Sequence, residues 1–171
     1  MREQLLFDEP VHLVTSAHSP ESGPSAGQGG QLPDQVGQPA AEIDVAELAR
    51  YSGQRWIAGC DRCRGYLLRQ CALAGFAPKI SFTTDDYVAV QALVAADLGV
   101  ATLPALALHA ARHPGIRTTK LRGARRYVYA VRYGEPPDSA ATAQLIDALS
   151  AAAAAANRVR PPREAELQSP T

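Results

Sequence analysis

The sequence has no surplus of charge of either sign. Its 171 residues carry 17 basic and 17 acidic side chains, so no global field draws the chain toward nucleic acid or an anionic membrane. No basic recognition helix makes up for that balance. Long apolar runs are missing too: nothing reaches the roughly 18–20 residues a bilayer requires. The stretch Met1–Pro10 is acidic and too short in its apolar part for a signal peptide. Cysteine is scarce, and an odd total of three makes no disulfide framework, which suits a reducing, cytoplasmic setting. There is no phosphate-cradling Gly-rich loop, no Gly-x-Ser-x-Gly nucleophile elbow and no His-Glu-x-x-His pair. His12, His18, His109 and His113 are scattered over strand, loop and helix end, and Ser81 has no identifiable base. These absences predict no enzyme, no catalytic residue, no cofactor and no metal site.

What is present is an alternation of short apolar strands and amphipathic helices. A strand is expected at Val11–Thr15, started by Pro10, which could not sit in the middle of a paired strand. From 18 to 40 Ser, Gly, Gln and Pro dominate, a flexible insertion with too little apolar surface to offset its ordering entropy. Asp44 caps a short helix through Arg50, with Glu47 in its first turn. Arg55–Ala58 reads as a buried strand. A helix follows over 62–74, with Leu67, Leu68, Cys71 and Ala72 on one face and Gly75 just beyond its end. Pro78–Thr83 is the next strand, and Thr84 or Asp85 caps a helix over 86–96. The block Leu93–Pro104 joins that helix through a Gly-marked turn to a strand at Val100–Leu103. A helix at Ala105–Ala111, strands at Ile116–Leu121 and Arg126–Tyr133 with a turn at Arg122–Ala124, and a helix from Ser139 toward Ala156 complete the pattern. A polar tail at 157–171 is expected to be disordered. Strand–helix–strand–helix–strand over Trp56–Pro104 implies a parallel sheet with helices packed on it.

This order of elements resembles the effector (substrate)-binding domain of LysR-type transcription regulators. Leu5–Ser16, the helix at Val45–Ala49, Arg55-Trp56-Ile57, Gly75-Phe-Ala-Pro-Lys-Ile80, Pro114-Gly-Ile116 and the terminal helix carry the likeness, and Leu93–Leu106 is its strongest part. The resemblance covers roughly residues 5–150 apart from the insertion. It implies an α/β, two-lobed, periplasmic-binding-protein-like fold of Rossmann-like lobes, here with one lobe complete and the other partial. In that frame 1–17 holds part of the first lobe and the outward crossover strand. Residues 41–104 form the complete second lobe with the return crossover, and 105–156 close the first lobe. Val100, Leu103 and Pro104 would be hinge residues. The family's helix-turn-helix, linker helix and opening βαβ units have no counterpart, so the expectation is an N-terminally truncated fragment. Asp97 stands where the family usually has a small residue, often Gly, at a left-handed helix end that Asp enters less easily.

The resemblance implies capture of a small-molecule effector between lobes and a homo-oligomer through the family-type dimer surface. It also implies DNA contact only in an intact regulator and no membrane. Helix starts after strand ends suit an anionic effector, because unpaired N–H groups and the helix dipole gather there. Gly59 and Cys60 at one helix start and Thr83 and Thr84 at the next are the candidate contacts, completed by Thr102, with a small carboxylate as the expected ligand. Asp61 and Asp85 would oppose it. Cys60-Asp-Arg-Cys63 lies at a helix start, where a thiol pKa can fall; one such pair with Cys71 does not make up the about four ligands of a zinc site. Arg122, Arg125 and Arg126 are expected to be a solvated turn rather than a nucleic-acid footprint. The alternatives are a stand-alone small-molecule-binding module, a non-functional truncated regulator, or a small redox protein built on the two cysteines.

Overall fold

The computed structural model describes residues 1–19 and 41–158. The expected insertion at 18–40 and tail at 157–171 lie, apart from their first two residues, outside the described residues. The order is β1 (Arg2–Ser16), β2 (Glu42–Asp44), a 3-10 helix (Val45–Tyr51), β3 (Arg55–Ala58), α1 (Asp61–Leu73) and β4 (Lys79–Thr83). It continues with α2 (Tyr87–Ala95), β5 (Val100–Pro104), α3 (Ala105–Ala110), β6 (Ile116–Arg132) and α4 (Ala140–Arg158). One mixed sheet has the order β2-β6-β1-β5-β3-β4. The expected parallel core is present: β3 pairs parallel with both β4 and β5. β1 runs antiparallel to β5, with Val11 opposite Pro104 and Leu13 opposite Thr102.

The chain forms two compact units, Glu9–Arg126 and the described part of Met1–Asp8 with Tyr127–Thr171. In the larger unit both faces of the sheet are covered, and the period-2 alternation of each strand splits its apolar residues between two cores. Val11 and Leu13 of β1, Trp56 and Ala58 of β3 and Val100 of β5 join Leu67 and Cys71 of α1 and Leu48 of the 3-10 helix on one face. Val14, Ile57, Ala101 and Leu103 meet Val90 and Val94 of α2 and Leu108 of α3 on the other. Trp56 is fully buried; its indole N–H donates to the Tyr51 carbonyl at 3.1 Å and its ring lies 6.0 Å from that of Phe76. In the smaller unit α4 covers one side, where Ala130, Ile146 and Ala153 are buried. There Arg2 and Arg132 both pair with Asp138, and Gln4 donates to the Ser150 hydroxyl at 2.9 Å.

Several expectations are corrected. β1 begins at Arg2 rather than Val11, and Pro10 lies inside it. The ladder to β5 starts one residue later, at Val11. The two strands expected around Arg122–Ala124 are one strand, β6; Gly123 takes φ +78° there, immediately after the β2 partner Arg122, and the chain continues extended instead of turning. β5 is hydrogen-bonded on both sides and buried within the larger unit, and α3 and Ile116 pack into the same core. Val100, Leu103 and Pro104 therefore sit inside that unit, and the chain passes between units at Asp8/Glu9 and Arg126/Tyr127.

Helix ends follow local chemistry. At the end of α1, Gly75 adopts φ +83°, with Gly75 N–H bonded to the Ala72 carbonyl and Phe76 N–H to that of Cys71. α2 ends in the same pair of bonds, Asp97 to Val94 and Leu98 to Leu93, with Asp97 at φ +58°. Both are Schellman closures. The left-handed residue is Asp97, as its position in the resemblance implied. Gly99 serves a different purpose, since a Cβ there would lie 2.7 Å from the Arg55 carbonyl oxygen.

Candidate functional site

The register of the sheet brings the first two candidate turns together. Ala58, the last residue of β3, is paired with Thr83, the last of β4, and the Thr84 N–H donates to the Ala58 carbonyl at 3.1 Å. The β3–α1 turn (Gly59, Cys60) and the β4–α2 turn (Thr83, Thr84, Asp85) therefore emerge side by side from the carboxyl edge of the parallel strands. An open cavity of about 320 Å³ lies between them, lined by Cys60, Asp61, Arg62, Thr83 and Asp85.

Of the five candidate contacts, Cys60 and Thr83 line this cavity, whereas Gly59, Thr84 and Thr102 do not. The Thr84 hydroxyl accepts from the Asp86 N–H at 3.2 Å. Asp86 is the cap of α2, in place of the expected Thr84 or Asp85; its carboxylate accepts from Val88 N–H at 2.7 Å and Ala89 N–H at 3.3 Å. Freed of that duty, Asp85 faces the cavity. Thr102 is a β5 residue opposite Leu13, half-buried in the sheet. Gly59 packs against the protein itself, because a Cβ there would sit 2.8 Å from the Cβ of Cys63. Arg62, the one cation of the lining, was not singled out in the sequence; only its place in the first turn of α1, beside Cys60, could have marked it.

The Cys60 and Cys63 sulfurs are 3.3 Å apart. Hydrogen bonding from the Cys63 backbone N–H, and from its thiol, holds the Cys60 thiol below its usual pKa, while desolvation pushes Cys63 up. The Tyr87 hydroxyl interacts with both the Cys63 thiol and the Arg126 guanidinium. Arg126 in turn pairs with the buried Glu9, Nε to Oε1 at 2.7 Å, and the Glu9 carboxylate also accepts from the Leu106 N–H at the start of α3. Arg126 is thus part of an internal pair rather than the solvated turn expected of it. Cys71 lies in the core, where burial lifts its thiol to about 11. Among the described residues no group of three or more His, Cys, Asp or Glu is placed to hold a metal, and no helix is long and apolar enough to cross a membrane.

A family model described as the LysR substrate binding domain matches residues 1–154. No curated protein sequence matches. Among solved structures, an OxyR variant from Corynebacterium glutamicum is 18% identical, with a TM-score of 0.62 over 91% of this chain and 47% of that one. The CcmR regulatory domain of Synechocystis PCC6803, in complex with 2-PG, is 13% identical, with a TM-score of 0.67 over 89% of this chain and 66% of that one. The BenM effector binding domain with its effector benzoate is 18% identical, with a TM-score of 0.62 over 94% of this chain and 67% of that one. The chain thus spans about half of the first and about two thirds of the other two. The mixed sheet with helices on it matches the periplasmic-binding-protein-like fold of these domains.

Proposed function

Because this chain belongs to the LysR substrate binding domain family, we propose that it is an effector-sensing domain that takes a small carboxylate in the cavity between the β3–α1 and β4–α2 turns. One observation carries the reading: that cavity, about 320 Å³, is lined by the start of α1, Arg62 and Thr83. Arg62 and the positive end of the α1 dipole supply positive potential, and the Thr83 hydroxyl supplies a neutral donor. Asp61 and Asp85 on the same wall set the specificity. They repel a second anionic group and favour a ligand that presents a hydroxyl or amine toward them. The family's known ligands fit this size class, benzoate in BenM being one.

Binding here would act by population shift, since a ligand moves an equilibrium only by its difference in affinity for the two states. The domain's output is regulatory rather than catalytic, through a homo-oligomer and, in an intact regulator, DNA.

A thermal-shift panel tests the reading: benzoate and other small hydroxy- and amino-carboxylates, each paired with its neutral amide. A ligand present at about 100 times its Kd stabilises by about 2.7 kcal/mol. At least one carboxylate should raise Tm while its amide does not, and Arg62→Ala should abolish the shift. Equal shifts by acid and amide, or no shift with any carboxylate, would overturn the reading.

A further inference from the structure

The effector reading uses Cys60 only as a wall of the cavity and leaves Cys63 unused, yet the fold spends specific residues on bringing the two thiols together. We propose that Cys60 and Cys63 form a reversible dithiol–disulfide site that is oxidised by hydroperoxides. This inference is independent of the ligand reading.

Three observations carry it. The first is proximity: the sulfurs are 3.3 Å apart, so closure to the roughly 2.05 Å of a disulfide needs a movement of about 1.3 Å, within reach of side-chain rotation in the first turn of a helix. The second is a constraint that places Cys63. Gly59 leaves its Cβ position vacant, and any side chain there would meet the Cys63 Cβ at 2.8 Å and its sulfur at 3.4 Å. The third is asymmetry of environment. Cys60 lines an open cavity, where an oxidant can reach it, while Cys63 stands behind it against Tyr87. The hydrogen bonds that lower the Cys60 thiol make it the attacking group, and desolvation keeps Cys63 as the protonated partner. Cys71, buried in the core with its thiol raised to about 11, is the internal control that lacks all three features.

The chemistry balances in two steps. The Cys60 thiolate attacks one oxygen of a hydroperoxide; the S–O bond forms, the O–O bond breaks, and the other oxygen leaves as an alcohol or water after taking a proton. Sulfur has lost two electrons and stands as a sulfenic acid. The Cys63 sulfur, losing its proton on attack, then displaces the hydroxyl; the S–S bond forms, the S–O bond breaks and water leaves. The sum is dithiol plus hydroperoxide to disulfide plus alcohol and water. A dithiol reductant reverses the outcome by thiol–disulfide exchange. Because the resolving thiol is already in van der Waals range, condensation should outrun further oxidation of Cys60.

The experiment uses the full chain, stoichiometric hydrogen peroxide, alkylation at timed intervals and mass spectrometry of the tryptic peptides. Cleavage after Arg62 separates the two cysteines, so an intramolecular bridge appears as a linked peptide pair. Cys60 and Cys63 should lose alkylation together, at least about tenfold faster than Cys71, and dithiothreitol should restore both. In Cys63→Ser a sulfenic acid trapped by dimedone should appear at Cys60; in Cys60→Ser the fast reaction should vanish. Three cysteines reacting at one rate would overturn the proposal. So would Cys60 passing to sulfinic acid while Cys63 stays alkylatable, or rapid reaction in Cys60→Ser.

Discussion

Replacing Asp97 by glycine should stabilise the protein, and the size of the gain can be worked from the two helix ends. Asp97 closes α2 at φ +58° with the same pair of backbone bonds that Gly75 makes at φ +83° behind α1, so the molecule contains its own reference for the unstrained form. A left-handed conformation costs an L-residue about 1–2 kcal/mol, with Asp toward the low end because its short polar side chain tolerates it. A carboxylate at a helix C-terminus adds about 0.3–1 kcal/mol of unfavourable dipole interaction. Against these, glycine loses more backbone entropy on folding, a cost of about 0.4–1 kcal/mol. The balance is a gain of about 0.5–1 kcal/mol, which for a chain of this size corresponds to about 1–4 °C in Tm. Asp97→Ala separates the terms: it removes the charge but keeps the strained Cβ, so it should gain clearly less than Asp97→Gly. The assay is paired thermal and urea denaturation of the three proteins. An unchanged or lowered midpoint for Asp97→Gly, or an equal gain for Asp97→Ala, would refute the reasoning.

Gln91 is fully buried on α2 and joins it to the segment before β6, donating to the Ala111 carbonyl at 3.0 Å and accepting from the His113 N–H at 2.9 Å. Gln91→Leu should cost about 1–3 kcal/mol, because two hydrogen bonds worth about 0.5–1.5 kcal/mol each are lost; a urea midpoint within error of wild type would refute this. In the smaller unit, Arg2 and then Arg132 hold the Asp138 carboxyl below the usual carboxylate range. A depressed folded pKa means that this stabilisation is complete above the unfolded value of about 3.9 and is lost as pH falls through the folded value. Asp138→Asn should therefore flatten the acid limb of Tm against pH below about pH 4, and an unaltered limb would count against the pairing. Tyr127, Tyr129 and Val131 alternate along β6 and stay about half exposed, as does Leu5 on β1. A bare apolar sheet face of this kind favours association, so sedimentation should show self-association that weakens in a Tyr127→Lys, Tyr129→Lys double variant; a monomer at all concentrations would refute it.

Much of the larger unit was legible in the sequence because its signals are local. The strand Arg55–Ala58 and the helix ending at Gly75 are written in hydrophobic period and in a glycine placed just past the last turn, and both stand where expected. Asp97 could be read as a strained residue for the same reason: a helix end is decided within about five residues of chain. Local signals misled where a residue's usual role was overruled by its neighbours. Gly123 carries the mark of a turn, yet β6 runs through it. Pro10 looks like a strand start, yet β1 extends eight residues before it. Arg126 reads as a surface charge until Glu9, far away in sequence, is brought beneath it.

By itself the sequence determined the alternation of strand and helix, the family likeness, the placing of two helix starts after strand ends and the presence of paired cysteines in one turn. All of these follow from side-chain period, capping chemistry and residue spacing, which act over a few residues. Only the tertiary structure decided which of the candidates share a cavity, because that depends on the register that sets Ala58 beside Thr83. It alone moved the α2 cap to Asp86, leaving Asp85 for the cavity wall. It also showed that the vacant Cβ position of Gly59 makes room for Cys63. The physical reason is common to all three: sheet register and close packing are satisfied across the whole larger unit at once, so no window of the chain records them.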